Sequence, residues 1–175
     1  MASRVRQSTG TKVNVSQQSV TFTVNSIVRV AHRIAYARHL PPDYMIAHRE
    51  DIDRGLGVWV AEQTLRRLIL EVFVEGEDHA LERYDFDFEF TARGGEEARD
   101  PPVSEIENFC KQLDRLPEGA TYRVVVQTAP DATPVPNWFA TTTRQLVEAA
   151  SMTFEAWGLG AVGTCLTYRG GSRAG

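Results

Sequence analysis

Residues 65–90 read LRRLILEVFVEGEDHALERYDFDFEF, and two period-two patterns in this stretch decide the fold class. Leu68, Leu70, Val72 and Val74 fall on one face of the first pattern, with Arg67, Glu71 and Glu75 on the other. Tyr84, Phe86, Phe88 and Phe90 alternate with Asp85, Asp87 and Glu89 in the second. Alternation of apolar and charged residues is the mark of a strand with one face on a core and one in water. Gly76-Glu77-Asp78 makes a turn between them, so the two strands are expected to pair antiparallel.

The flanking sequence supplies helices. Before the strands, Val24, Ile27, Val28, Ala31, Ile34 and Ala35 recur at helical spacing from Val20 to about His39, where Pro41-Pro42 stops the run. A second helix is expected over about His48–Gln63, with Ile52, Leu56, Trp59 and Val60 on one face and Gly55 marking close packing or a kink. After the Gly-, Glu- and Pro-rich loop 93–102, Ser104 with Glu107 reads as a capping box. It opens a helix with Ile106, Phe109, Cys110 and Leu113 inward. Pro117-Glu118-Gly119 then turns the chain into the strand Tyr122–Thr128. Helix, helix, strand, strand, helix, strand is an α+β order, with three helices expected on one face of a mostly antiparallel sheet.

Residues 129–175 resist a single reading. They carry Trp138, Phe139, Phe154, Trp157 and Tyr168, and six of the thirteen glycines. A disordered tail is poor in such residues, so this segment is expected to pack, and the glycines allow it to change path. Leu146, Ala149, Ala150, Thr153 and Trp157 fit a helix. Met152, Phe154 and Ala156 against Thr153, Glu155 and Trp157 fit a strand, and the glycine run that follows favours the strand.

Composition narrows the function classes. The chain has 175 residues, 42% of them hydrophobic and 24% charged, with a net charge of −4. That suits one core and one domain, expected over 19–175 behind a flexible tail, 1–18. No apolar run is long enough to span a bilayer, and MASRVRQSTGTKVNVSQQ lacks the apolar segment of a secretory signal; the chain is expected in the cytoplasm. Cys110 and Cys165 match neither a disulfide framework nor a metal spacing. Arg4, Arg6, Lys12, Arg29, Arg33 and Arg38 precede the first acid, Asp43. This basic front end on an acidic body is an electrostatic handle for a protein partner. With no aromatic residue among 1–18, stacking on nucleic-acid bases is not expected.

Candidate chemistry is thin. Gly158-Leu159-Gly160-Ala161-Val162-Gly163 matches G-x-G-x-x-G, but a dinucleotide loop must open a helix within a βαβ unit, and too little chain follows. Asp85, Asp87 and Glu89 place three carboxylates on one strand face, an oxygen-donor pattern, although a solvated sheet face explains them more simply. A small α+β enzyme or ligand-binding protein using that turn or that face is the alternative reading. No nucleophile, phosphate-loop or paired-cysteine signature is present, so no catalytic residue, metal or cofactor is assigned.

The combination is similar to a known family. The polar leader, the long helix Val20–His39, the block WVAEQTLRRLILEVF (residues 59–73), the alternating strand Arg83–Phe90, the short helix before Tyr122–Thr128, isolated Trp138 and a glycine-punctuated C-terminus resemble the bacterial HORMA domains encoded beside cyclic-oligonucleotide (CBASS) antiviral systems. The resemblance spans about residues 19–170. It implies a peptide-binding switch without catalytic activity. In it a C-terminal safety belt, here about 129–170 on a core of 19–128, wraps a closure-motif peptide that joins the sheet as an added strand. It implies that the closed form activates a cGAS/DncV-like nucleotidyltransferase making a second messenger in anti-phage defence. It also implies that a hexameric AAA+ remodeller resets the protein by pulling its N-terminus, and in some systems that a second HORMA protein takes part. On this reading Tyr122, Val124, Val126, Trp138, Phe154, Trp157 and Tyr168 contact the peptide. Gly158, Gly160 and Gly163 hinge the belt, and Arg4, Arg6 and Lys12 lie in the remodeller handle.

Overall fold

The computed structural model describes residues 15–91, 99–146, 150–159 and 161–171. Helix α1 spans Gln17–Ala37; the Ser16 side chain caps it by accepting from the Ser19 N–H at 3.2 Å, satisfying one of the donors a helix start leaves open. Helix α2 spans Asp43–Ala61, beginning five residues before the expected start because Pro42 can occupy a helix N-terminus without losing a hydrogen bond. Strand β1 covers Leu65–Val74, β2 is the short piece His79–Ala80, and β3 covers Glu82–Phe90. Helix α3 is Val103–Gln112 and β4 is Ala120–Thr128. The tail contributes β5 (Gln145–Leu146), β6 (Ala150–Thr153), β7 (Trp157–Leu159) and β8 (Val162–Gly170).

Six strands form one sheet in the order β4-β1-β3-β8-β6, with β7 also on β8. Every pairing in it is antiparallel; the parallel exception is the two-residue pairing of β2 with β5 outside it. The expected pairing of the first two long strands is found, Leu70 opposite Tyr84, with Gly76 at φ 87° in the turn. Leu68, Leu70, Val72, Tyr84, Phe86, Tyr122, Val124, Leu166 and Tyr168 face the helices and share one apolar cluster with Val24, Ile27, Ile34, Leu56, Val60, Ile106 and Cys110. The fold is α+β, three helices on one face of a mostly antiparallel sheet, as expected.

Three local expectations fail. Ser104 is not a cap: α3 starts at Val103 with Pro102 in the cap position and no side-chain cap bond, and Glu107 reaches across to Arg33 instead, at 3.0 Å. Asp85 does not face water. It is fully buried beneath Arg83, Arg67 and Arg169, at 3.3, 3.8 and 3.7 Å, because long arginine stems cover the sheet face that periodicity assigns to solvent. Burial pushes its carboxyl above the usual range, and the three guanidiniums pull it back. Glu71, also assigned to the open face, is fully buried too, for a reason that lies in the tail.

Candidate functional site

The strand order leaves two edge strands, the short β6 and the nine-residue β4, and among the described residues no strand covers the outer side of β4. β4 pairs only with β1, and its exposed rim begins where Ala129 N–H donates to Thr64 O at 2.7 Å and closes the ladder. In an antiparallel strand a residue's N–H and C=O point to the same side and alternate residues point to opposite sides. The Val124 N–H donates outward, to the Tyr44 hydroxyl of α2 at 3.0 Å. Tyr122, Val124 and Val126 therefore turn their main chain to the open edge while their side chains face the helix layer.

The chain after β4 loops around that edge. It first crosses the helix side. Thr133 N–H donates to Glu62 of α2 at 3.2 Å, and its hydroxyl bonds the same carboxylate. Trp59 Nε1–H donates to Thr133 O at 2.9 Å. Asn137, at φ 66°, donates from its side chain to Asp51 at 3.0 Å, and Trp138 Nε1–H donates to Asp51 O at 2.9 Å. The Trp138 ring stands edge-on to Trp59 with centroids 5.1 Å apart. Gly55 makes that seat: a Cβ there would lie 2.6 Å from Trp138 Nε1. The glycine read as close packing or a kink is thus explained by packing.

Phe139 through Thr142 are exposed, Phe139 at 84%, and the chain then reappears on the opposite face of the sheet. Arg123 of β4 donates to Thr142 O at 2.6 Å and to the Thr141 hydroxyl at 3.3 Å. Arg144 N–H donates to Glu71 Oε1 at 2.6 Å, its guanidinium to Glu71 Oε2 at 3.1 Å, and the same guanidinium lies 3.6 Å over the Phe73 ring. Arg123 completes the cluster, 2.6 Å from Glu71. This is what buries Glu71: two arginines and a backbone N–H take up its oxygens under the strap. The strap ends where β5 pairs with β2. A band anchored on both faces thus encircles the free edge of β4.

The remaining tail residues lie elsewhere. β8 pairs with β3 along its full length, from Glu82↔Gly170 to Phe90↔Val162. Trp157 donates to Ser26 of α1 at 2.9 Å, Phe154 stands edge-on to Phe109 of α3, and Tyr168 packs on Tyr84 and Phe109. All three are buried. The structure therefore brings Tyr122, Val124, Val126 and Trp138 to one edge and sets Phe154, Trp157 and Tyr168 beyond β3, in the core of the other. Gly158 and Gly163 face each other across a hairpin of β7 and β8. The strand β8, rather than the helix a dinucleotide loop opens, follows this turn. Gly160, Arg4, Arg6 and Lys12 lie outside the described residues.

Tyr44, Glu62, Glu71, Arg123, Asn137 and Arg144 were not singled out from the sequence. None sits in a motif; their roles arise from strands and loops brought together over long separations. Burial pushes the Tyr44 phenol above its ordinary range, opposed by the Val124 N–H and by Arg123. Burial likewise pushes the Cys110 thiol up to about 11, the state of an inert core cysteine. Among the described residues no cluster of three or more His, Cys, Asp or Glu side chains is arranged to hold a metal, and no helix is long and apolar enough to cross a membrane.

A family model described as bacterial HORMA domain 2 matches residues 8–168. The chain belongs to this family. HORMA domains are typically peptide-binding adaptors rather than enzymes. Among solved structures, this HORMA domain is similar to the C. elegans protein HTP-2 bound to the HIM-3 closure motif, at TM-score 0.72 and 16% identity over 92% of this chain and 94% of that one. A chain of the mitotic checkpoint complex matches at TM-score 0.68 and 16% identity, over 86% of this chain and 97% of that one. The E. coli MS115-1 HORMA:CdnC:Trip13 complex contributes a match at TM-score 0.58 and 10% identity, over 95% and 96%. At these identities the likeness concerns the fold. No curated protein matches the chain in sequence.

Proposed function

We propose that this HORMA domain is a conformational-switch adaptor that captures a closure-motif peptide as an added strand on β4. The observation that carries the reading is the unpaired edge inside the strap: Tyr122, Val124 and Val126 offer main-chain groups outward, and residues 129–146 pass round them from one face of the sheet to the other. Strand addition uses such an edge for affinity and neighbouring side chains for specificity, and Trp138 is the tail aromatic placed to supply them. The functional belt then comprises this strap and the hairpin that follows, to about residue 170. Within it, Phe154, Trp157 and Tyr168 act as anchors of the hairpin.

Support for the partners comes from the E. coli complex, whose three components are a HORMA protein, CdnC and Trip13. On that analogy the peptide-bound form activates a cGAS-like nucleotidyltransferase in a CBASS response. A hexameric AAA+ ATPase resets it by gripping residues 1–18, a cytoplasmic cycle in which this chain performs no catalysis. The test uses the full chain, a linear peptide selected on it from a displayed random library, and amide hydrogen exchange. Binding should protect Tyr122, Val124 and Val126, and the loaded chain should stimulate the nucleotidyltransferase encoded beside it. Protection confined to other strands, or stimulation independent of peptide, rules the reading out. Removing residues 1–14, which spares the Ser16 cap and the start of α1, should leave peptide binding intact and abolish ATP-dependent release by the partner ATPase; release at the full rate refutes the handle.

A further inference from the structure

The Val124 N–H sits at the centre of the edge on which strand addition is proposed, and it is already occupied. An incoming strand lies about 4.8 Å from its neighbour and places a carbonyl oxygen about 2.9 Å from each outward N–H. The Tyr44 hydroxyl stands at that position, 3.0 Å from Val124 N. A strand carbonyl and this hydroxyl cannot share it. The phenol is held there by its ring, whose centroid is 5.2 Å from that of Tyr122 and 4.5 Å from that of His48 one turn along α2.

Beside the ring opens a cleft of about 1460 Å³ at the Ala120 end of β4, whose walls include Leu40, Pro41, Tyr44, Leu116 and Pro117. Its lining is mixed, with Asp43, Lys111, Arg115 and Glu118 beside the apolar residues, so it offers room for the ring and polar partners for the hydroxyl, and it is continuous with the edge through Tyr44 itself. Arg38, at its base, is committed to Glu82 and to the Cys110 and Asp114 carbonyls, so it does not compete for the phenol.

We propose that Tyr44 is a latch on the β4 edge. Its hydroxyl caps the Val124 N–H, and peptide capture requires the phenol to leave Val124 and turn into the adjoining cleft. The inference rests on the β4-edge reading above. It adds that the edge is held shut by this chain's own side chain, which raises the threshold for weak or partial strands and blunts an edge that would otherwise pair with a second copy. A peptide must supply a carbonyl opposite Val124 good enough to replace the phenol.

The test compares the full chain with Tyr44→Phe, which keeps the ring and deletes the oxygen. The ligand is a linear peptide selected from a displayed random library on the wild-type chain. Because binding to the variant no longer breaks the cap, its affinity should rise on the order of three- to tenfold. The gain should lie in the association rate, and the Val124 amide of the peptide-free variant should exchange faster. Equal affinity overturns the latch. Weaker binding by the variant also overturns it, because it assigns the hydroxyl to the bound state. If the variant does not fold, the wild-type chain carrying 3-fluorotyrosine decides the matter: a Tyr44 resonance that shifts on peptide addition supports the latch, and one that stays put overturns it. Failure to select any peptide, with Tyr44 intact or replaced, overturns the β4-edge reading and the latch together, whereas selection with equal affinities sinks the latch alone.

Discussion

At β3 the tail closes the sheet with main chain, nine residues of β8 in continuous register; at β4 it crosses the edge on single contacts that each need a side chain, such as Arg123 to Thr142 O and Arg144 N–H to Glu71. The two regions even contain the same device, a buried glutamate held by arginine, built to different depths. Glu82 and Glu71 are both 0% exposed. Arg38, the partner of Glu82, is 4% exposed, whereas Arg123 and Arg144, the partners of Glu71, are each 24% exposed. The first pair joins the C-terminal end of α1 to β3 and is buried. The second pair ties a strap across an edge and reaches water. A ladder is lost as a unit, but a strap held by side chains can be released contact by contact, which is what the edge of a switch requires.

The largest effect expected from this contrast is at Glu82. Replacing it with alanine strands the Arg38 guanidinium in the interior, and removing one partner of a buried pair typically costs about 3–5 kcal/mol. A denaturant midpoint within experimental error of wild type would show that Arg38 reaches solvent. Glu71→Gln, by contrast, is expected to cost about 1–2 kcal/mol, because both arginines can turn to water. Its main consequence is faster amide exchange over residues 139–146. Equal losses at the two glutamates would break the comparison.

Gly158→Val comes next, on the ladder side. A Cβ at this position lies 2.8 Å from Gly163 Cα and closer still to Val162 O, both parts of the backbone. The hairpin has to open to admit it, so a loss of about 2–4 kcal/mol is expected, together with new exchange at β7 and the Arg99 bridge to Gly158.

Trp138→Ala acts on the strap. It removes the bond to Asp51 O and the edge contact with Trp59, and it leaves a void over Gly55. The half-buried site limits the global loss to about 2 kcal/mol, but cleavage by protease between residues 130 and 146 should rise several-fold more than the stability change alone implies. Tryptophan fluorescence is a poor probe of the strap in isolation, because Trp59, on the core face of α2, touches Trp138 and Thr133.

This asymmetry also explains what could be read from the sequence. The helices and β1, β3 and β4 follow from periodicity, because each buries one regular face. β8 is equally regular, with Val162, Thr164, Leu166 and Tyr168 all buried in alternation, but the glycines that precede and enter it hide that periodicity in the sequence. Residues 150–159 looked ambiguous between helix and strand because they form two short strands, β6 and β7, broken at Phe154, which still donates to Leu166 O at 2.9 Å. Of the candidate site, Tyr122, Val124 and Val126 were accessible as one face of a strand. Tyr44 and Arg144 were not: nothing local distinguishes a tyrosine near a helix start or an arginine after three threonines, and their contacts cross long stretches of chain.

The smallest effect is expected at Gly163, and it separates a hinge from a close approach. Gly163 stands opposite Gly158 in the hairpin and opposite Glu89 in β3. A Cβ there meets nothing nearer than Glu89 O at 3.9 Å, and its backbone is not among the glycines with positive φ. Neither sterics nor conformation demands glycine, and a glycine in a strand gives up more chain entropy on folding than alanine does. Gly163→Ala should therefore be neutral or stabilising by up to about 1 kcal/mol, with the peptide affinity unchanged. If the belt swings about this residue, a side chain will instead slow the conversion between peptide-free and peptide-bound forms at unchanged stability. Stopped-flow binding to the wild type and to Gly163→Ala distinguishes the two: identical rates locate the moving part in the strap between Ala129 and Leu146, and a slower variant returns it to the hairpin.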